Sequence, residues 1–492
     1  MNQDTISPRS ALWREELRRS ISAKQRGEIA RVAMPELPAD FRVTTLSEEV
    51  NMGLSSEQAV LEARRCLDCP DPQCVTGCPV GINIPGFIKN IERQNFTDAL
   101  AVLKETSALP AVCGRVCPQE KQCESKCIYN KMKKPAVAIG YLERFAADNA
   151  DAPAPAKAPS LDIKVAVAGS GPAGLSFAGD MIKRGFDVTV FEALHEIGGV
   201  LKYGIPEFRL PNSVVEKEID ALRGLGVEFR KNIIIGKTLS YDDLIAEGYK
   251  AIFVASGAGL PRFMGIPGEN YINVVSSNEY LTRVNLMHAG SDEYATPVHR
   301  GKRVAVIGGG NTAMDSCRTA RRMGAEKVMV VYRRSEAEMP ARIEEVKHAR
   351  EEGVEFLTLH NPVEYLADEN GHVRAMRLQR MELGEPDASG RRSPVPVEGA
   401  IEEVEVDMVI VSVGVSPNPL IPSAIPDLET TRRGTIAVND ETLRSSIPTI
   451  YAGGDIVRGG ATVILAMGDG RKAAAAMAKA LLDINTSSLQ NT

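Results

Sequence analysis

Eight of the nine cysteines in this 492-residue chain lie between Cys66 and Cys127, and only Cys317 stands elsewhere. They form two sets, Cys66-x2-Cys69-x4-Cys74-x3-Cys78-Pro79 and Cys113-x3-Cys117-Pro118-x5-Cys123-x3-Cys127. Structural zinc sites usually space their ligands as two CxxC-like pairs, often with histidine. All six histidines here lie at position 195 or later. Three closely spaced thiolates plus an outlying Cys followed by Pro is instead how ferredoxins hold [4Fe–4S] clusters, the outlying Cys serving the other cluster. Two clusters follow. By that analogy Cys66, Cys69 and Cys74 hold one, and Cys117, Cys123 and Cys127 hold the second together with Cys78. The fourth ligand of the first is then Cys113 or a nearby group other than Cys. A zinc-structured nucleotide-binding protein without catalysis is the competing reading.

The second chemistry-bearing pattern is Gly169-Ser-Gly171-Pro172-Ala173-Gly174, directly after the strand-like run KVAVAG and opening a helical stretch. Gly169 permits the tight turn, Gly171 lets a pyrophosphate approach the backbone, and Gly174 lets the helix sit close to the strand. The next strand-like run ends in Glu192, 18 residues after Gly174, where a carboxylate can accept hydrogen bonds from a ribose diol. Near the other end, Thr449-Ile-Tyr-Ala-Gly453-Gly454-Asp455 precedes an Ala-rich helical stretch. It resembles the pattern by which two-dinucleotide flavoproteins hold the ribityl chain and pyrophosphate of FAD, which implies a discontinuous FAD domain. Asp455 can also serve as a plain helix N-cap.

The fingerprint recurs as Gly308-Gly309-Gly310-Asn311-Thr312-Ala313 after RVAVIG. Here the following strand ends in Tyr332-Arg333-Arg334, with no acid at the ribose position. Guanidinium grips a 2′-phosphate that a carboxylate would repel, so this unit is expected to take NADPH through Arg333 and Arg334. Two units with opposite charge at the ribose imply hydride traffic from nicotinamide to flavin. Since the cofactors carry that chemistry, no catalytic side chain is expected. Cys317 stands alone on the helix after Asp315. It reads as a small core residue rather than half of a redox pair.

The elements that must position these groups are legible as short β-branched runs: KVAVAG (164–169), DVTVFE (187–192), AIFVAS (251–256), RVAVIG (303–308), KVMVVY (327–332) and DMVIVSVG (407–414). Runs buried on both faces suit parallel sheets covered by helices. The cysteine segment carries helical pattern over 84–105, residues 1–60 read as an arm packed on the body or a partner, and Ala150–Ser160 has linker composition. The fold class is therefore α/β: an N-terminal helical domain (1–150) with two [4Fe–4S] clusters, then two nested Rossmann-like domains. FAD is assigned to 161–288 with 430–492, and NADPH to 289–429. A formal charge of −6 gives no footprint for nucleic acid. No run reaches the roughly 18 apolar residues of a membrane span, and the start lacks a secretory signal. A cytoplasmic location is expected.

Taken together, the eight-Cys segment, GSGPAGL, GGVLKYGIPEFRLP (198–211, with Gly199), GGGNTAMD, YRRSEAEMPAR (332–342) and AGGD resemble the glutamate synthase small-subunit family from about residue 45 to 480. The same module occurs in dihydropyrimidine dehydrogenase and in the large subunit of NADH-dependent reduced ferredoxin:NADP+ oxidoreductase. The stretches GAGLPRFMGIPGEN (257–270) and NEYLTRVNLM (278–287) look closest to that electron-bifurcating branch. There a Glu replaces one cluster cysteine, and Glu120 of CPQEKQC fits the position; Cys113 would then be a spare thiol. The resemblance implies an NADPH oxidoreductase passing hydride between NADPH and FAD, and single electrons through two clusters to or from a partner subunit. That partner is a glutamate synthase large subunit, making L-glutamate from glutamine and 2-oxoglutarate, or a smaller FAD- and NADH-binding subunit. A hetero- or homo-oligomer is implied. The chain starts Met-Asn rather than with an amidotransferase Cys, so alone it is expected to oxidise NADPH and make no glutamate.

Overall fold

The computed structural model describes residues 6–150 and 157–489; most of the expected linker at Ala150–Ser160 lies outside them. The cysteine segment is carried by short helices, α1 (Ser56–Arg65), α2 (Ile84–Glu92), α3 (Phe96–Thr106), α4 (Pro110–Val116) and α5 (Ile139–Asn149). Side-chain caps start the first three. Ser55 and Gln58 form a capping box on α1, while Asn83 and Asn95 cap α2 and α3 through Gly86 N and Asp98 N. The single helical pattern expected over 84–105 is thus two helices. Gln94 takes a φ of 62° and Asn95 starts a new N-terminus, which ends one ladder of hydrogen bonds and begins another. The N-terminal arm packs on the body through cations, Arg14, Arg26 and Arg42 buried and Arg18 partly exposed: Arg14 and Arg18 hold Asp68, Arg26 holds Glu92, and Arg42 reaches Glu351.

Beyond the linker, β1 (Lys164–Ala168), α6 (Pro172–Ile182), β2 (Asp187–Phe191), β3 (Glu228–Arg230) and β4 (Ala251–Val254) build the first parallel unit. The second contains β5 (Val274–Ser276), β6 (Arg303–Ile307), α7 (Asn311–Arg322), β7 (Lys327–Tyr332), α8 (Ile343–Glu351) and β8 (Glu355–Thr358). An antiparallel insert follows, β9 (His360–Ala367), β10 (Val373–Pro386) and β11 (Arg392–Glu405), and β12 (Met408–Val411) closes that sheet. The chain then returns to the first unit with β13 (Ile450–Ala452) and α9 (Val463–Leu489). Strand orders are β13-β4-β1-β2-β3 and β5-β12-β6-β7-β8, every pair parallel. The sheet edge β5 lies upstream of the boundary expected at 288/289. A three-residue strand is too short to read as one from pattern alone.

The core explains how the parts hold. One apolar cluster runs from Phe87, Val112 and Phe145 of the helical domain into Val165, Phe177 and Phe253 of the first unit, so the cysteine domain is fused to one face of that sheet. The second sheet has its own cores on each face, around Val304, Cys317 and Val328, and around Ala305, Met329 and Met376. Cys317 is fully buried as a small core residue. Among the described residues, no helix is long and apolar enough to cross a membrane.

Candidate functional site

At the first fingerprint two glycines are crowded and one is open. A Cβ on Gly169 (φ 109°) would meet Ala255 O at 2.4 Å, and one on Gly174 would meet Gly169 O at 2.1 Å. One on Gly171 would meet nothing within 4 Å. Gly171 caps α6, with Pro172 in its first turn, so the open backbone faces the N-terminal N–H groups that hold a pyrophosphate. Glu192 is buried and fixed: Oε2 accepts from Ser170 N at 2.9 Å and from Ser170 Oγ, and Oε1 accepts from Leu194 N at 2.9 Å. The C-terminal loop closes over the same helix. A Cβ on Gly454 (φ 75°) would meet Ala173 Cβ at 3.0 Å, and one on Gly199 would meet Gly171 Cα at 3.0 Å. Asp455, beside this loop, has its carboxyl pushed up to about 6 by burial, with Asp469 adding repulsion against the Ala461 N–H. These groups surround one cradle, which fits FAD.

The second fingerprint repeats the geometry. A Cβ on Gly308 (φ 140°) would meet Ser412 O at 2.3 Å, while Gly310, capping α7, has only Pro340 Cγ at 4.0 Å. Ala313 is fully buried, Thr312 is exposed, and Asn311 Oδ1 accepts from Arg342 N at 2.9 Å. The two arginines at the end of β7 part company. Arg333 is exposed and its guanidinium has no partner among the described residues. Arg334 is buried, with Nη2 on Asp387 Oδ2 at 2.7 Å and Nε on Arg392 O at 2.8 Å. The expected pair is therefore one available cation and one already engaged by the antiparallel insert.

The thiols sort into two groups of four by the neighbours they face. Burial, then Cys66, Cys127 and Cys69, raise the Cys74 thiol, and Cys69 likewise faces Cys127. Burial, with Asp68 and Cys69 adding, pushes Cys66 up to about 11 against the pull of Lys89. Separately, Cys117 as hydrogen-bond partner, then burial, Glu143 and Cys78 raise Cys113; Cys123 faces Glu124, Glu143, Cys117 and Cys78 after its own burial, and Glu143 likewise faces Cys78. Thiols held this far from ionisation by burial and by one another need a compensating positive centre to exist as thiolates. Tetrahedral zinc at about 2.3 Å per bond brings thiolates within about 4 Å of one another. No three cysteine sulfurs lie within 4.8 Å of one another among the described residues. Groups of closely set cysteine thiols are the donor chemistry that a [4Fe–4S] cluster takes.

Depth differs between the groups: Cys69, Cys74 and Cys127 are partly exposed with Cys66 buried, whereas Cys113, Cys117 and Cys123 are buried with Cys78 partly exposed. Cys113 Sγ lies 3.5 Å from Met467 Sδ on α9, and a Cβ on Gly468 would meet Pro79 O at 3.1 Å. The deeper group thus abuts the first unit, because Ser176 of α6 holds Met467 O at 3.0 Å.

Comparison with known proteins places this architecture. Residues 42–154 match the dihydropyrimidine dehydrogenase domain II, 4Fe–4S cluster family, and residues 163–476 match the pyridine nucleotide-disulphide oxidoreductase family. The glutamate synthase [NADPH] small chain of Azospirillum brasilense is 38% identical over 436 residues, covering 87% of this chain and 90% of that one. The Escherichia coli small chain is 38% identical over 91% of this chain and 96% of its own length. The chain belongs to this family. It is an oxidoreductase of the pyridine-nucleotide type with a 4Fe–4S domain. In fold it is similar to Mycobacterium tuberculosis FprA in complex with NADPH, at TM-score 0.55 and 20% identity, covering 67% of this chain and 86% of that one.

Within this glutamate synthase small-chain fold, the cysteine partition differs from the spacing argument. Cys127 stands with Cys66, Cys69 and Cys74, and Cys113 with Cys78, Cys117 and Cys123. The 3-10 turns Gln119–Lys121 and Glu124–Lys126 carry the last cysteine across to the first set. Glu120, the candidate fourth ligand, turns toward the second unit instead, with Oε1 accepting from Ile343 N at 3.3 Å and Oε2 lying 3.8 Å from Arg342 Nε. Sequence reasoning passed over Ser170, which orients Glu192, and Arg342. Arg342 is fully buried and joins Asn311 to Gln119 Oε1 (2.9 Å) and Arg115 O (2.6 Å) beside the deeper thiols. The motif YRRSEAEMPAR contained Arg342; what it touches was not in the motif.

Proposed function

We propose that this oxidoreductase passes hydride between NADPH and FAD, and single electrons through two [4Fe–4S] clusters to or from a partner subunit of the glutamate synthase large-chain kind. The observation that carries this reading is the burial gradient across the two four-thiol groups, with the deeper one against the FAD cradle through Cys113 and Met467. Bound in that cradle, FAD would accept a hydride and release electrons one at a time, the conversion that a nicotinamide donor and one-electron carriers require. The chain's own residues do the rest. Gly171, Gly454 and the start of α6 give backbone N–H groups to the pyrophosphate, and Glu192 takes the ribose diol. Gly310 and the start of α7 hold the nicotinamide dinucleotide, with Arg333 reading its 2′-phosphate. Cys78, Cys113, Cys117 and Cys123 hold the inner cluster, and Cys66, Cys69, Cys74 and Cys127 the outer one.

The outer group faces a surface on which Ile128 and Met132 are exposed beside Lys126, Lys131 and Lys133, the side from which a partner would take electrons. Glu120 is engaged by Arg342 and Ile343, whereas Glu143, buried with Oε1 unpartnered among the described residues, faces Cys78, Cys113 and Cys123, so Glu120 is not the carboxylate beside the inner group. Oxidation of NADPH by the purified chain with an artificial acceptor, and no glutamate formed from glutamine and 2-oxoglutarate until a large subunit is added, tests the reading. Glutamate production by the chain alone would overturn it.

A further inference from the structure

The antiparallel insert of the second unit ends in a turn that comes back to the tip of β7. There Asp387 Oδ2 takes Arg334 Nη2 at 2.7 Å, and Arg334 Nε donates to Arg392 O at 2.8 Å. The other carboxylate oxygen is fixed by the turn itself, accepting from Ser389 Oγ, from Ser389 N at 2.8 Å and from Arg391 N at 3.3 Å. These hydrogen bonds, those of Ser389 first, hold the Asp387 carboxyl below its ordinary range. So Arg334 is gripped by an anion that the chain supplies, at the strand end where dinucleotide folds bind a 2′-phosphate. Carboxylate and phosphate offer guanidinium the same fork of acceptors. Arg333, one residue earlier, is exposed and free among the described residues.

Resting on the NADPH reading above, we propose that Asp387 is a specificity-determining residue that occupies Arg334 in place of a 2′-phosphate and must yield it when a 2′-phosphorylated nucleotide binds. Arg333 makes the first contact, and Arg334 joins as the turn releases it. The attraction for the phosphate is reduced by what it takes to part Arg334 from Asp387. A nucleotide without the phosphate leaves the pair closed and is indifferent to it.

Titration calorimetry of the full chain with 2′,5′-ADP and with 5′-AMP tests this in Asp387→Asn, Arg334→Ala and the double variant. Asn keeps an oxygen for the Ser389 and Arg391 N–H groups, so the turn is retained. Asp387→Asn should bind 2′,5′-ADP about fivefold more tightly and 5′-AMP unchanged, and the gain should vanish when Arg334→Ala is added. Unchanged or weaker binding of 2′,5′-ADP by Asp387→Asn overturns the inference, weaker binding assigning Asp387 to holding the turn alone. Equal affinity of the unaltered protein for the two fragments would sink the NADPH reading itself, and this inference with it. A clear preference that ignores Asp387→Asn would sink this inference alone.

Discussion

Arg209 Nη1 donates to both carboxylate oxygens of Asp315, at 2.6 and 2.8 Å, and both residues are buried. The pair ties the segment after Gly199 in the first unit to the helix that opens the second. Burial pushes the Asp315 carboxyl up to about 6 even with Arg209 beside it, so the ion pair is what keeps a buried acid tolerable. Arg209 Nε also reaches Glu345 at 3.0 Å. Replacing it by Leu strands Asp315, while Glu345 keeps its ion pair with Arg318, and should cost about 3–5 kcal/mol, seen as a lower melting temperature. Because the junction sets how the two dinucleotides meet, the hydride-transfer rate in stopped flow should fall more than nucleotide affinity. An unchanged melting temperature would show that the junction is held by other contacts.

Arg333→Ala should lower kcat/KM for NADPH about tenfold and leave NADH nearly untouched, since a single charge-assisted contact to the 2′-phosphate is lost. Arg334→Ala should also weaken NADPH binding, by losing the second contact to the 2′-phosphate, and in addition should loosen the insert, because its Nε and Nη2 hold Arg392 O and Asp387. Steady-state kinetics with both nucleotides separates the two. Equal losses with NADPH and NADH for Arg333→Ala would contradict the assignment.

The partition of thiols makes Cys127 and Cys123 differ despite their closeness in sequence. Cys127→Ala should disturb the outer group and Cys123→Ala the inner one, each removing up to about four irons. Fast flavin-to-cluster electron transfer after NADPH addition should survive in Cys127→Ala and fail in Cys123→Ala, as read by EPR of the reduced proteins. The opposite pattern would restore the partition drawn from spacing.

Glu143 is fully buried on α5, its Oε1 has no partner among the described residues, and burial, then Glu218, pushes its carboxyl up to about 8. The unfolded chain releases that proton near the ordinary value of 4.5, whereas the native state holds it until about pH 8. Native protein therefore binds more protons in between, and stability falls as pH rises from about 4.5 to 8, levelling beyond. Glu143→Gln cannot ionise. It should melt close to the unaltered protein at pH 4.5 and well above it at pH 8, a gap of several kcal/mol. Parallel melting curves at the two pH values would refute the burial argument.

The glycine fingerprints were legible because they are local: Gly169 and Gly308 need positive φ, and strand, turn and helix follow within a dozen residues. The six long β-branched runs became strands for the same reason. What the sequence hid was set by distant contacts. Spacing put Cys127 with Cys117 and Cys123, whereas the chain, after two 3-10 turns, sets it facing Cys69 and Cys74. Arg334 reads like its neighbour until a turn 53 residues later claims it. The insert itself was missed, although Asn370-Gly371 and Asp387-x-x-Gly390 mark its two turns.

Anaerobic analysis of the purified chain for iron, acid-labile sulfide and flavin tests the central claim most directly. The account expects about eight irons, eight sulfides and one FAD per chain. Zinc in place of iron, or iron without flavin, would contradict it.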